Sequence, residues 1–204
     1  MKLWYSPTSP FTRKVLILAH EKGLAADIEL LPVNPWEADS AVPQDNPLGK
    51  IPALVTNDGE RLSDSPFICE DLDAQFPGRR LFPSDGPARW TALRRQVIAD
   101  GLLDAAMLAR VETTSRPEEL RWSWWLERQN TIVARALDAL EQEAAALDGF
   151  ATIGEITIFC ALSYLDLRFP ANDWRHGRSR LTEWRDKVDV LDSARLTAIP
   201  GSKD

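Results

Sequence analysis

The stretch from Asn46 to Ser65, Asn-Pro-Leu-Gly-Lys-Ile-Pro-Ala-Leu-Val-Thr-Asn-Asp-Gly-Glu-Arg-Leu-Ser-Asp-Ser, constrains the fold of this chain more than any other. Ile51 precedes Pro52 and is pushed towards extended geometry, so its N–H and C=O are left without a sheet partner at the entry to a strand. The Ile51-Pro52 bond is open to either isomer. Ala53 to Thr56 reads as a short buried strand, Asn57-Asp58-Gly59 as a hairpin turn, and Arg61-Leu62 as the start of the return strand. Ser65-Pro66 then opens a helix, with serine at the N-cap and proline at N1. Ile68, Leu72 and Phe76 recur at i, i+4, i+8, and Gly78 ends the helix.

These elements have chemical consequences. An open strand edge at Ile51 pairs with a peptide laid beside it. The helix start at Ser65 offers amides to an anion, and Asp64 is placed to hold an ammonium group. Together they describe a site for a small zwitterionic peptide. Taken singly, Pro52 also suits a plain turn and Asp64-Ser65 a plain helix cap. The specificity lies in their order around a hairpin.

The remaining elements fall around this stretch. Lys2 to Tyr5 is a strand, followed by the hydroxyl- and proline-rich loop Ser6 to Phe11. A helix carrying Val15, Leu16, Leu18 and Ala19 runs to Lys22 and stops at Gly23. Ile28 to Val33 is a second strand, and residues 34–43 an irregular connection. Strand, helix, strand, hairpin and helix make a thioredoxin-like α/β domain over residues 1–77. Residues 78–87, rich in proline and glycine, read as a linker, and residues 88–204 as an all-helical domain. Trp90, Leu93, Val97, Gly101 and Leu108 form one helical stripe and Val133, Leu137, Leu140, Ala144 and Leu147 another, so two long helices pack side by side. Thr152-Ile-Gly-Glu155 is a capping box opening a helix from Ile156 to Leu167, apolar almost all round and therefore central. Leu181, Trp184, Val188 and Leu191 suggest a last helix, and residues 200–204 a loose tail. At least one of Trp122, Trp124 and Trp125 is expected at a pocket or interface and the others in the core.

Ile51-Pro52 followed by Asp64-Ser65 resembles the glutathione-binding half of the cytosolic glutathione transferases, and Thr152-x-x-Glu155 resembles the box that starts their buried helix. The resemblance implies a glutathione site in which Ile51 and Pro52 pair the tripeptide backbone and Asp64 and Ser65 hold its γ-glutamyl end. It implies a thiolate-stabilising residue in the first strand-to-helix loop, where Ser9-Pro10-Phe11 with Arg13 is similar to the serine-bearing bacterial members. Ser9 is the first candidate and Tyr5 the second; Ser9 is equally suited to cap the helix. Lys50 is a candidate for the glycine carboxylate or an ordinary surface lysine, and Trp36 either covers the peptide or fills its loop. Asp100-Gly-Leu-Leu-Asp104 is similar to a family segment whose second aspartate reaches the γ-glutamyl amine across a dimer; a solvated helix face is the alternative. Phe11, Met107, Leu108 and Arg110 are candidates for the hydrophobic co-substrate site. Arg168 either faces the cleft or caps helix-end carbonyls.

The net charge of -7 and a pI near 5.0 argue against nucleic acid or an anionic membrane as the main partner. No signal peptide, membrane-spanning run or metal-ligand spacing is visible, and Cys69 and Cys160 sit in apolar helical patterns as buried thiols. A cytoplasmic homodimer that needs no metal and conjugates glutathione to a small hydrophobic electrophile is the expectation. The alternatives are a non-catalytic binding or scaffold protein of the same fold, or a glutathione-dependent reductase or isomerase.

Overall fold

The computed structural model describes residues 1–199, so the tail expected over 200–204 lies outside the described residues. A thioredoxin-like layer comprises β1 (Lys2–Tyr5), α1 (Pro10–Glu21), β2 (Glu29–Pro32), β3 (Ala53–Val55), β4 (Arg61–Leu62) and α2 (Ser65–Gln75). A helical layer follows, with α3 (Gly86–Thr114), α4 (Ser123–Glu143), α5 (Ile153–Arg168), α6 (Ser179–Asp189) and α7 (Asp192–Leu196). The sheet order is β2-β1-β3-β4, with β1 parallel to β2 and antiparallel to β3, which in turn pairs antiparallel with β4. The α1 crossover supplies the parallel pair, and Gly59, at φ 89°, takes the left-handed corner of the hairpin between β3 and β4.

Two corrections concern local geometry. The N-cap of α2 is Asp64, whose carboxylate accepts the Ser65 N–H, so Ser65 is already the first helical residue. A carboxylate in extended geometry competes well for this position, which shifts the expected cap by one residue. Most of the stripe expected to pack on α3 lies instead on its outer face: Trp90, Val97 and Leu108 are exposed by 68%, 70% and 45%, while Leu93 is partly buried against the core. The packed face carries Leu102 and Leu103 with the small residues Ala92, Ala99 and Ala106, which let α3 approach α5 closely. At Gly154 the approach leaves no space, because a Cβ there would lie 2.8 Å from Arg95 Cβ and 3.0 Å from the Ala92 carbonyl.

The central helix α5 opens with the full Thr152–Glu155 capping box and is buried from Ile153 through Leu165. Glu155 also accepts a hydrogen bond from Arg95 of α3. Residues 78–85 are tied down rather than slack. Asp73 accepts the N–H groups of Leu81 and Phe82 at 3.0 Å each, and Ile153 N–H donates to the Leu81 carbonyl at 2.9 Å. Leu81 and Phe82 are buried. The helix α1 packs on both layers: the Arg13 guanidinium lies 4.7 Å over the Phe159 ring, and Lys14 Nζ donates to both oxygens of Asp100 at 2.7 and 2.9 Å. The tryptophan cluster departs from expectation: Trp122 and Trp124 are exposed, stacked with ring centroids 4.8 Å apart, and Trp125 is half-buried, so none joins the core. All three precede or open α4, where the helix has not yet met its neighbours. No helix among the described residues is long and apolar enough to cross a membrane.

Candidate active site

A cavity of about 670 Å³ opens between the two layers. Its walls are the loop from β1 to α1, residues 34–36, the turn before β3, the entry to α2, the C-terminal half of α3 and the end of α5. This volume suits a ligand of tripeptide size.

Ser9 stands at the N-cap of α1, extended at φ -81° and ψ 117°, with Pro10 beginning the helix. Its Oγ accepts the Thr12 N–H at 3.2 Å, and its own hydroxyl proton is donated to no group among the described residues. Ser6, Thr8, Ser9 and Phe11 line the cavity from this loop. Opposite, Asn46 is buried and organises the turn: its side chain donates to the Lys50 carbonyl at 2.7 Å and accepts the Leu48 N–H at 3.1 Å. The Ile51-Pro52 bond that follows is cis. The ladder of β3 begins only at Ala53, so among the described residues the Ile51 backbone stands unpaired at the cavity wall.

Asp64, at the mouth of α2, and Asp104, on α3, line the same cavity. The Asp104 carboxyl is held above the ordinary range, first by burial and then by the charge of Asp64, with Lys50 and Lys14 pulling the other way. A cation placed between Asp64 and Asp104 relieves that repulsion. Behind them Asp100 is also raised, chiefly by burial, despite its bond to Lys14. The other end of the cavity is built by Met107, Arg110, Val111 and Thr114 of α3 with Tyr164 and Arg168 of α5. The Tyr164 hydroxyl donates to Met107 Sδ at 3.5 Å, and burial raises its pKa.

Ser9, Trp36, Lys50, Ile51, Pro52, Asp64, Asp104, Phe11, Met107 and Arg110 therefore share one cavity. Tyr5, at the end of β1, and Leu108, on the outer face of α3, lie outside its lining. Ser65 is fully buried just behind the wall, and its Oγ has no hydrogen-bond partner. Arg168 lines the cleft. Tyr164 was not anticipated, because a tyrosine inside a helix that is apolar on every side carries no periodic signal; its polar tip was the only clue. Cys69 and Cys160 are fully buried, and burial pushes the Cys160 thiol up to about 12 and Cys69 further, which makes neither a nucleophile.

Comparison with known proteins agrees with this geometry. Residues 8–75 match the glutathione S-transferase N-terminal domain and residues 125–187 the C-terminal domain. An uncharacterized GST-like protein of Escherichia coli, YibF, is 36% identical over 98% of this chain and 99% of its own length. Two crystal structures of a glutathione transferase family member from Pseudomonas fluorescens Pf-5 are similar throughout. One, with bound glutathione, has a TM-score of 0.92 at 40% identity and covers 98% of both chains. The other, with bound S-(propanoic acid)-glutathione, has a TM-score of 0.90 at 38% identity and covers 98% of this chain and 100% of that one.

Proposed function

This chain belongs to the glutathione S-transferase family, and from that premise we propose that it is an enzyme joining glutathione to a small electrophile with an apolar body. The observation that carries the reading is the convergence on one cavity of the Ser9 hydroxyl, the unpaired Ile51 backbone and the Asp64–Asp104 pair. Glutathione lies along the Ile51 edge, with its γ-glutamyl ammonium between Asp64 and Asp104 and its carboxylate at the entry to α2. Lys50 takes the glycine carboxylate, Trp36 covers the peptide, and the sulfur reaches Ser9. The Pseudomonas relative, with glutathione in one structure and an S-substituted glutathione in the other, supports a cleft that holds the tripeptide and a group on its sulfur.

The step needs no oxidant or reductant. The thiolate lone pair forms a C–S bond at the electrophilic carbon, and the displaced pair leaves with a leaving group or moves to the neighbouring carbon of an activated alkene, which then takes a proton. A hydrogen bond donated by the Ser9 hydroxyl to the sulfur favours thiolate over thiol. Lowering a thiol pKa of about 8.5 by about two units raises the thiolate at neutral pH roughly 25-fold and lowers its nucleophilicity roughly 8-fold, a net gain of only about threefold. Most of the acceleration therefore comes from holding the electrophile beside the sulfur.

A second copy of the chain covers the outer face of α3, where Trp90, Val97 and Leu108 form an exposed apolar stripe, with exposed Phe67 on α2. Asp104 lies on α3 between Gly101 and Leu108 of that stripe and also lines the cavity, which supports a site completed next to the dimer contact. The reading places the protein in the cytoplasm, with reduced glutathione and the electrophiles it would detoxify. Calorimetric titration with glutathione tests it: the wild type binds, and Asp64→Asn, which keeps the helix cap, binds about tenfold more weakly. A wild type that shows no heat of binding with glutathione sinks the reading.

A further inference from the structure

The co-substrate end of the cavity carries more positive charge than an apolar electrophile calls for. Arg110 and Arg168 both line it, and neither forms an ion pair among the described residues. The other arginines that approach the core are matched. Arg95 is paired with Glu143 and Glu155, Arg175 and Arg185 with Asp166, and Arg13 is stacked on Phe159 and bonded to the Ala194 carbonyl. Arg168 has a buried Nε with no hydrogen-bond partner among the described residues. Burial and then the charge of Arg110 lower its proton affinity, and the Tyr164 hydroxyl acts the other way. Asp64 and Asp104, the two carboxylates of the cavity, belong to its opposite end, where Asp104 feels Asp64 and Lys50. A guanidinium pair left half-buried without an anion is costly, and a planar fork of N–H donors matches a carboxylate.

Resting on the transferase reading above, we infer that the second substrate bears a carboxylate, bound by Arg110 and Arg168 with the Tyr164 hydroxyl beside them. Phe11, Met107 and Val111 line the space between this anion site and the loop of Ser9, so they contact the apolar body of the substrate. The electrophilic carbon then lies near the sulfur and the carboxylate at the far end. For an α,β-unsaturated acid the sulfur bonds to the β-carbon, the π pair moves to the α-carbon, and that carbon takes a proton from water. Negative charge developing next to the carboxylate is stabilised by the same two guanidinium groups.

The test compares two product analogues of the same shape, S-(2-carboxyethyl)glutathione and its neutral amide S-(2-carbamoylethyl)glutathione, with glutathione itself as the control. Wild-type protein is expected to bind the carboxylate about tenfold more tightly than the amide in calorimetry. Arg168→Met and Arg110→Met each reduce that preference to about twofold, and Arg168→Lys, which keeps the charge but not the fork, restores part of it. Thermal melts identify any variant that fails to fold, and the other position then decides. Equal affinity of the wild type for the two analogues, or a preference that survives both methionine variants, overturns the inference while the glutathione control keeps the transferase reading intact. Failure of the wild type to bind glutathione overturns both.

Discussion

At Ser9 the side-chain oxygen accepts the Thr12 N–H at 3.2 Å, and in the proposed reaction its proton is offered to the glutathione sulfur. Ser9→Ala removes both interactions. Loss of the cap lowers stability by about 1 kcal/mol, readable as a drop in melting temperature. Loss of the donor raises the pKa of bound glutathione, and this gives turnover a crossover in pH. The variant is slower than wild type by about threefold at neutral pH, draws level at a pH of about 7.6, and overtakes it above, because its thiolate is the stronger nucleophile. A pH–rate profile with a constant ratio between the two proteins would contradict the role given to Ser9. Asp104 titrates in the opposite direction from a paired carboxylate. Burial and the charge of Asp64 raise its pKa in the free protein, and a bound ammonium favours its charged form. Glutathione affinity is therefore full above that raised pKa and is lost as pH falls through it, beginning higher than for an ordinary aspartate. Isothermal titration carried from neutral towards acid pH should show this decline in the wild type and a flatter profile in Asp104→Asn.

The contact between α3 and α5 depends on an absent side chain at the element scale. A methyl group at Gly154 meets Arg95 Cβ at 2.8 Å and the Ala92 carbonyl at 3.0 Å, and a backbone carbonyl inside a long helix cannot move aside. Gly154→Ala should cost about 1–3 kcal/mol and lower the melting temperature by several degrees, while Gly101→Ala, in open space on the same helix pair, should not. The same contact explains where sequence reasoning succeeded and failed. The capping box at Thr152, the turn before Pro52 and the proline-led start of α1 were legible because each is fixed by residues within one turn of each other. The packed face of α3 was not: close approach selects alanines, whereas periodicity weighted by size selects Trp90, Val97 and Leu108, which face outward. Ser9, Ile51 and Asp64 were legible as residues of the cavity wall because loops and helix starts announce them. Tyr164 was hidden because only the packing of α5 against α3 decides which of its sides meets the cleft, and the Lys14–Asp100 bond because it joins residues far apart in the chain.

Across the whole molecule, α1 and the segment after α2 bind the layers into one body. Lys14 is fully buried and the Asp100 side chain is 17% exposed, and their bond spans the thioredoxin-like layer and α3. Asp100→Leu strands a buried ammonium and should destabilise by about 3–5 kcal/mol in urea unfolding, whereas Lys14→Met combined with Asp100→Leu recovers most of the loss. A double variant no better than the single one would show that the pair matters for more than charge balance. The clamp of Asp73 on the Leu81 and Phe82 amides, with the Ile153 N–H on the Leu81 carbonyl, works at this scale too. The joint between the layers is a weld, not a knee. On the proposed reading, the reaction would run on an open bench whose walls stand in place before either substrate arrives, and the departing conjugate would be released when its own hold on those walls fails.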